Sequence, residues 1–333
     1  MRKLTIGMMT YDDFDGVYFT IQSIRMYHPE ILSEIEFLIL DNNPDSEHGK
    51  AVKRFCEWVK EPIRYIPVTD ARGTALRDRV FRMAQTPYVM CVDCHVMLSP
   101  GSLRKLIDGF DQGGAKGDLI QGPMLYDNIS MATHMAQVWR AGMWGIWAVS
   151  WRCPCGTVFQ TSKREMIGRN ETEFQTMHPP HISLVACEGC SKAFPEGLTW
   201  EGHETTLSSL GFLNAADGEP FEIPAHGMGM FACRNDSWLG FNPLFRGFGG
   251  EECYIHEKYR RHGGHTICLP FLRWMHRFER PRGVPYQSNW EDRVHNYLVG
   301  HMELGMNLNP VIEHFSTIIP RQSVMAVLSQ LSP

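Results

Sequence analysis

The sequence predicts an α/β fold: a mostly parallel, doubly wound sheet with helices on both faces, plus a small Cys-rich insertion. Three observations carry this expectation. Residues 1–125 alternate short apolar runs with segments whose apolar residues recur at helical spacing. Residues 126–225 break that alternation and hold Trp139, Trp144, Trp147, Trp151 and closely paired cysteines. From residue 226 the alternation returns.

The elements follow in order. "KLTIGMM" reads as a strand, and "GVYFTIQSIRMY" as a helix with Val17, Ile21 and Ile24 on one face. "EFLILDNN" is a short apolar run ending in Asp41, hence a buried strand. "SEHGKAVKRFCEWVK" places Val52, Phe55, Cys56 and Val59 at helical spacing, and "IRYIPV" is a third strand. "GTALRDRVFRMAQ" aligns Leu76, Val80, Met83 and Ala84, "YVMCVD" is a fourth strand, and "SPGSLRKLIDGF" turns Leu103, Leu106, Ile107 and Phe110 inward. In the returning part, "GFGGEECYIHEKYRRHGG" reads as a helix with acids at its start. Arg260, Arg261 and His262 lie in its last turn, and Gly263-Gly264 stop it. The last residues read as helical and peripheral.

Composition bounds the function. A chain of 333 residues fits one large domain with an insertion, or two domains. A net charge of −5 excludes a bulk polyanion binder while allowing a local basic patch. "MRKLTIGMMTYDD" has no signal-peptide core, and no run is long enough to span a membrane. We expect a soluble, cytoplasmic protein, whose ten cysteines serve as thiols or metal ligands.

Ligands of doubly wound sheets bind beyond the carboxyl ends of the strands. Thr10, Tyr11 and Asp12, then Asp41, then Asp93 all fall at such ends. In "VDCH", Asp93 and His95 are two residues apart, so an extended backbone turns both toward one ligand. A carboxylate with an imidazole suits Mn²⁺ better than Mg²⁺. The competing reading makes Asp93 a helix cap and His95 a surface residue. Cys153 and Cys155 with Cys187 and Cys190 have the layout of a four-thiolate structural Zn²⁺ site, against four unrelated buried thiols. Trp139 to Trp151 read as the insertion's own core. With Lys163, Arg164 and Arg169 they could instead stack on and neutralise a polynucleotide.

"GTALRDRVFRMAQTPYVMCVDCHVMLSPGSLRKLI" and "GFGGEECYIHEKYRRHGGHTICLPFLRWMHRF" resemble the GT-A-fold, family-2-like glycosyltransferases, nearest to the polypeptide N-acetylgalactosaminyltransferases with their Asp-x-His pair. The resemblance covers residues 3–125 and 226–280. It implies a metal-dependent transfer from a nucleotide-sugar donor, a UDP-sugar, to an acceptor hydroxyl. His276 matches the family's third metal ligand beside Asp93 and His95. Arg77 and Arg79 match the arginines of the helix before the metal strand, where one could contact the nucleotide or its phosphates. Thr10, Tyr11, Asp12 and Asp41 sit where the family binds base and ribose, although Asp41 could equally form an Asx turn with Asn42 and Asn43.

Glu251, or Glu252 beside it, takes the place of a residue that orients the acceptor hydroxyl or acts as base; acids there also simply suit a helix N-terminus. His226 and the loop "RFERPRGVPY" are expected to frame the sugar, the loop closing as a lid. The family's polypeptide-modifying members lack the cysteine element, so the acceptor is open: protein, or DNA bearing hydroxymethyl-pyrimidines. Four segments are expected: 1–125 as the nucleotide-sugar half, 126–225 as the zinc-ribbon-like insertion, 226–285 as the acceptor and metal half, and 286–333 as a helical extension. Two rivals are a sugar nucleotidyltransferase, whose Gly-rich phosphate loop "MMTYDDFDG" lacks, and a non-catalytic binding protein on the same scaffold.

Overall fold

The computed structural model describes residues 1–74, 76–126, 131–152, 155, 157–162, 189–191, 199–200, 203–204, 219–278 and 289–331. It opens with β1 (Leu4–Thr10), α1 (Phe14–Tyr27), β2 (Ile35–Asp41), α2 (Glu47–Trp58), β3 (Ile63–Pro67), α3 (Leu76–Met83) and β4 (Tyr88–Asp93). Then come β5 (Val96–Leu98), α4 (Ser102–Asp111), β6 (Leu119–Gln121), β7 (Met124–Leu125) and β8 (Met131–Ala132).

The expected alternation forms because each segment has one way to bury its apolar residues. β2 is buried at all seven positions, as a strand covered on both faces must be. α4 buries Leu103, Leu106, Ile107 and Phe110 along one stripe. Asp13 caps α1 by accepting from the Gly16 amide, and Ser46 caps α2 by accepting from Gly49. α3 packs so closely on β1 that a Cβ on Gly7 would lie 2.1 Å from Val80 Cγ1.

The insertion segment contributes β9 (His134–Arg140), β10 (Met143–Arg152), β11 (Val158–Ser162), β12 (Thr199–Trp200) and β13 (His203–Glu204), an antiparallel sheet around β10. The chain then returns through β14 (Phe221–Glu222), β15 (Met230–Arg234), α5 (Glu252–Arg261), β16 (Thr266–Cys268) and β17 (Trp274–His276). It ends in α6 (Trp290–Glu303), α7 (Asn309–Phe315) and α8 (Arg321–Ser329). Among the described residues, no helix is long and apolar enough to cross a membrane.

The main sheet has eight strands in the order β14-β16-β6-β15-β4-β1-β2-β3. β1 pairs in parallel with both β2 and β4, so the strand order reverses beside it and opens a crevice at the strand ends. The registers set Thr10 beside Asp41 and Met9 beside Asp93. A second sheet, β5-β17-β7-β8, explains how distant residues meet. β17 runs antiparallel to β5 with His276 opposite Val96, one residue beyond His95.

Two expectations change here. Trp139 and Trp144 do not form a core of the insertion alone. Trp139 meets the Tyr297 ring edge-on at 4.9 Å and the tilted His314 ring at 5.1 Å, and the Trp144 amide donates to the Tyr297 hydroxyl at 2.8 Å. The C-terminal helices are correspondingly not peripheral: Val294, Tyr297, Leu298, Val311 and Phe315 are buried in one cluster with Met135 and Trp144. A hairpin that is apolar on one face needs a cover, and the C-terminal helices supply it.

Candidate active site

A cleft of about 520 Å³ lies at the carboxyl ends of β1 and β4. β4 brings Asp93, the turn after it brings His95, and β17 brings His276. Their donor atoms all lie within 4.8 Å of one another. His95 Nε2 is 3.2 Å from His276 Nε2, and His276 Nε2 is 3.5 Å from Asp93 Oδ2. On the far side of Asp93, Arg77 from α3 donates to Asp93 Oδ1 at 3.0 Å and stands 3.5 Å from Glu251 Oε1.

Burial dominates the electrostatics, and the neighbours decide its outcome. Burial pushes the Asp93 carboxyl up, yet the Arg77 guanidinium and the two histidines hold it well below the usual carboxylate range. For Glu251, burial together with the neighbouring Glu252 charge outweighs Arg77 and raises the carboxyl to about 8. Burial also raises Asp13, but hydrogen bonds from His95, Cys94 and the Gly16 amide bring it down to about 2.

Glu251 follows two glycines held in a backbone conformation that other residues rarely adopt. Gly249 and Gly250 have φ of +94° and +96°, and a Cβ on Gly249 would meet Arg293 Nε at 2.5 Å. Asn296 of α6 pins the same loop: its side-chain amide donates to the Arg246 and Gly249 carbonyls at 2.7 and 2.8 Å, and its oxygen accepts from the Arg246 amide.

The cleft lining takes in Thr10, Tyr11, Arg77, Asp93, His95, Glu251, Glu252 and His276. Four candidates stand elsewhere. Asp41 is fully buried; its oxygens accept from the Tyr65 hydroxyl at 2.7 Å and the Asn43 amide at 2.9 Å, which is the Asx turn. Asp12 accepts from the Asn43 side chain, and Arg79 makes a two-pronged pair with Asp70 at 2.8 and 2.7 Å on the surface. His226 is buried between Trp147 and Trp274 and does not reach the lining. Residues 279–288 of the expected lid lie outside the described residues, as do Cys153, Cys187, Lys163, Arg164 and Arg169. Of the four cysteines, Cys155 is exposed and Cys190 half-buried.

Among the charged lining residues, the sequence reading missed two. Asp13 was hidden beside Asp12; its signal was an acid three residues before a glycine at a helix start. Arg293 comes from α6, the segment read as peripheral.

Residues 5–146 match the family described as Glycosyl transferase family 2. That stretch resembles a family 2 glycosyltransferase domain, and the fold is of the GT-A kind. The domain is similar in fold to GalNAc-T7, solved with UDP, GalNAc and Mn²⁺: TM-score 0.58, 12% identity, covering 96% of this chain and 52% of that one. The chain thus spans about half the length of that protein. Also similar are the mannosyltransferase PcManGT of Pyrobaculum calidifontis with GDP-Man and Mn²⁺ (TM-score 0.48, 11% identity, 99% and 75% covered) and S. aureus TarS 1–349 with UDP-GlcNAc (TM-score 0.48, 11% identity, 96% and 72% covered). No curated protein matches the sequence.

Proposed function

We propose that the cleft binds a nucleoside diphosphate sugar, a UDP-sugar, together with a divalent cation, Mn²⁺ in preference to Mg²⁺, and moves the sugar to an acceptor hydroxyl. The observation that carries this reading is the convergence of Asp93, His95 and His276 within 4.8 Å, from two backbone segments far apart in the chain, at the sheet's switch point. One carboxylate and two imidazoles fit a borderline ion, and two ring nitrogens facing each other at 3.2 Å are suited to sharing one. Such an ion supplies Lewis-acid stabilisation of the charge that develops on the leaving diphosphate.

The protein's own groups do the rest. Arg77 keeps Asp93 ionised and adds a fixed positive charge beside the leaving group. Thr10 Oγ1, Thr74 Oγ1 and Glu251 Oε2 are buried in the lining without a hydrogen-bond partner among the described residues. Buried polar atoms need partners, and the hydroxyls and amides of a nucleotide sugar supply them. Glu251, protonated at neutral pH, donates to a substrate oxygen and takes up a proton-accepting role only as pH nears 8. A structural Zn²⁺ on Cys153, Cys155, Cys187 and Cys190 belongs to the same proposal.

The test is Mn²⁺-dependent UDP release from a panel of UDP-sugars, with hydroxyl-bearing peptides and hydroxymethyl-pyrimidine DNA as acceptor arms. Asp93→Ala and His276→Ala should fall to background. Unchanged release by either variant would falsify the metal assignment, and no release with any donor from folded protein would sink the transferase reading. Elemental analysis should find about one tightly held Zn per chain, lost in Cys187→Ser.

A further inference from the structure

His95 has two ring nitrogens, and a metal ligand can offer the ion only the one without a proton. We propose that Asp13 is the positioning residue that fixes His95 with its proton on Nδ1 and turns the Nε2 lone pair toward the divalent cation; this rests on the metal reading above. Asp13 Oδ2 lies 3.2 Å from His95 Nδ1, on the side of the ring away from His276. A carboxylate can only accept, so Nδ1 must donate, and the proton sits there and not on Nε2, which faces His276 Nε2 at 3.2 Å where Asp93 also converges.

The carboxylate is itself held. Its Oδ1 accepts from the Gly16 amide at 3.0 Å as the cap of α1, and its Oδ2 also accepts from the Cys94 thiol at 3.2 Å. Gly16 makes room for this: a Cβ there would lie 2.7 Å from Asp13 Oδ2 and 2.0 Å from the Cys94 carbonyl. The start of α1 thus does two jobs with one side chain, ending the helix and orienting a ligand that arrives from β4. The one competing assignment is a second cation site, because the Asp13, Cys94 and His95 donor atoms also lie within 4.8 Å of one another. A nitrogen that donates to Asp13 cannot also coordinate, so the two assignments exclude each other.

Asp13→Asn separates capping from orientation. Asn caps helices as well as Asp, so the fold should be kept, with a thermal midpoint lowered only by the weakened His95 and Cys94 contacts, while the anionic acceptor is gone. Mn²⁺ titration followed by electron paramagnetic resonance should give one ion per wild-type chain, bound about 10- to 100-fold more weakly in Asp13→Asn. In metal-free, ¹⁵N-histidine-labelled protein, the His95 ring, assigned with His95→Gln, should show the Nδ1–H form in the wild type and a mixture in Asp13→Asn. Equal Mn²⁺ affinity in the two proteins, or an Nε2–H ring in the wild type, overturns the role of Asp13. Two ions per chain, one lost in Cys94→Ser, overturns it in favour of the second site. A wild type that binds no Mn²⁺ overturns the metal reading, and this role with it. Should Asp13→Asn fail to fold, the tautomer of the wild-type ring decides alone.

Discussion

Burial and the neighbouring Glu252 make Glu251 keep its proton at a pH where an exposed carboxyl has lost it, and that costs stability. Its carboxyl rises from 4.5 in the open chain to about 8 when folded. Between those values the folded chain holds a proton that the unfolded chain has released, so stability falls as pH rises through that window. Glu251→Gln removes the titrating group and keeps its shape. The variant should therefore gain thermal stability over wild type at pH 8 and little at pH 4.5. The same change should slow UDP release by about 100-fold or more if the group handles a substrate proton. A melting curve at each pH and one rate measurement check both halves, and equal stability shifts at the two pH values would refute the buried, protonated carboxyl. Glu251 was legible because acids following paired glycines at a helix start form a local pattern. Asp41 was misplaced because a strand-end carboxylate reads the same from sequence whether it faces a cleft or a Tyr65 hydroxyl in the core. Asp13 was overlooked because its partner lies 82 residues away.

The glycine loop and α6 form a latch around Glu251. Asn296 makes three hydrogen bonds to the backbone of Arg246 and Gly249, Asp292 pairs with Arg246 at 2.8 Å, and the stem of Arg293 crosses Gly249. Asn296 is fully buried, so Asn296→Ala leaves two carbonyls and one amide without their partner. The expected cost is about 2–3 kcal/mol, read as a lower urea midpoint, with turnover falling further than stability because Glu251 loses its support. A normal rate in a destabilised protein would separate the latch from the chemistry. β1 to β4 and α1 to α4 were readily legible, since each of those strands is a short, mainly apolar run and each helix carries a single apolar stripe. β5 and β7 were not, because strands of two or three residues carry too little pattern and are defined by partners far away in the chain; β17 was expected only through the family resemblance, as a strand ending in His276. α6 showed an apolar face, but a face does not name its cover. That cover is the β9–β10 hairpin carrying Trp139 and Trp144.

Across the whole molecule, the layers meet over buried histidines. His134 on β9, His226 before β15 and His256 on α5 are fully buried, and burial lowers each to about 3; the His226 charge would repel the other two further. Each unfolds to an ordinary histidine near 6.5. Above that value both states are neutral and the groups contribute nothing to the pH dependence. Below it the unfolded chain takes up protons that the folded chain refuses, so stability is lost as pH falls. The slope approaches about 1.4 kcal/mol per pH unit for each histidine. Glu251 pulls the other way with one group of similar slope, so three histidines outweigh it and the net effect of acid is destabilising. The chain should thus lose several kcal/mol between pH 6.5 and pH 5, well before most carboxylates protonate. His134→Gln retains a polar side chain beside the Thr133 and Ser150 hydroxyls, which lie 2.8 and 3.4 Å from His134 Nδ1. It should flatten the slope by about one histidine's share. Urea unfolding at half-unit steps from pH 7 to pH 5 measures this directly. A wild-type curve that is level across that range would mean that these three rings are not buried together at the join between the sheet, the hairpin and α5.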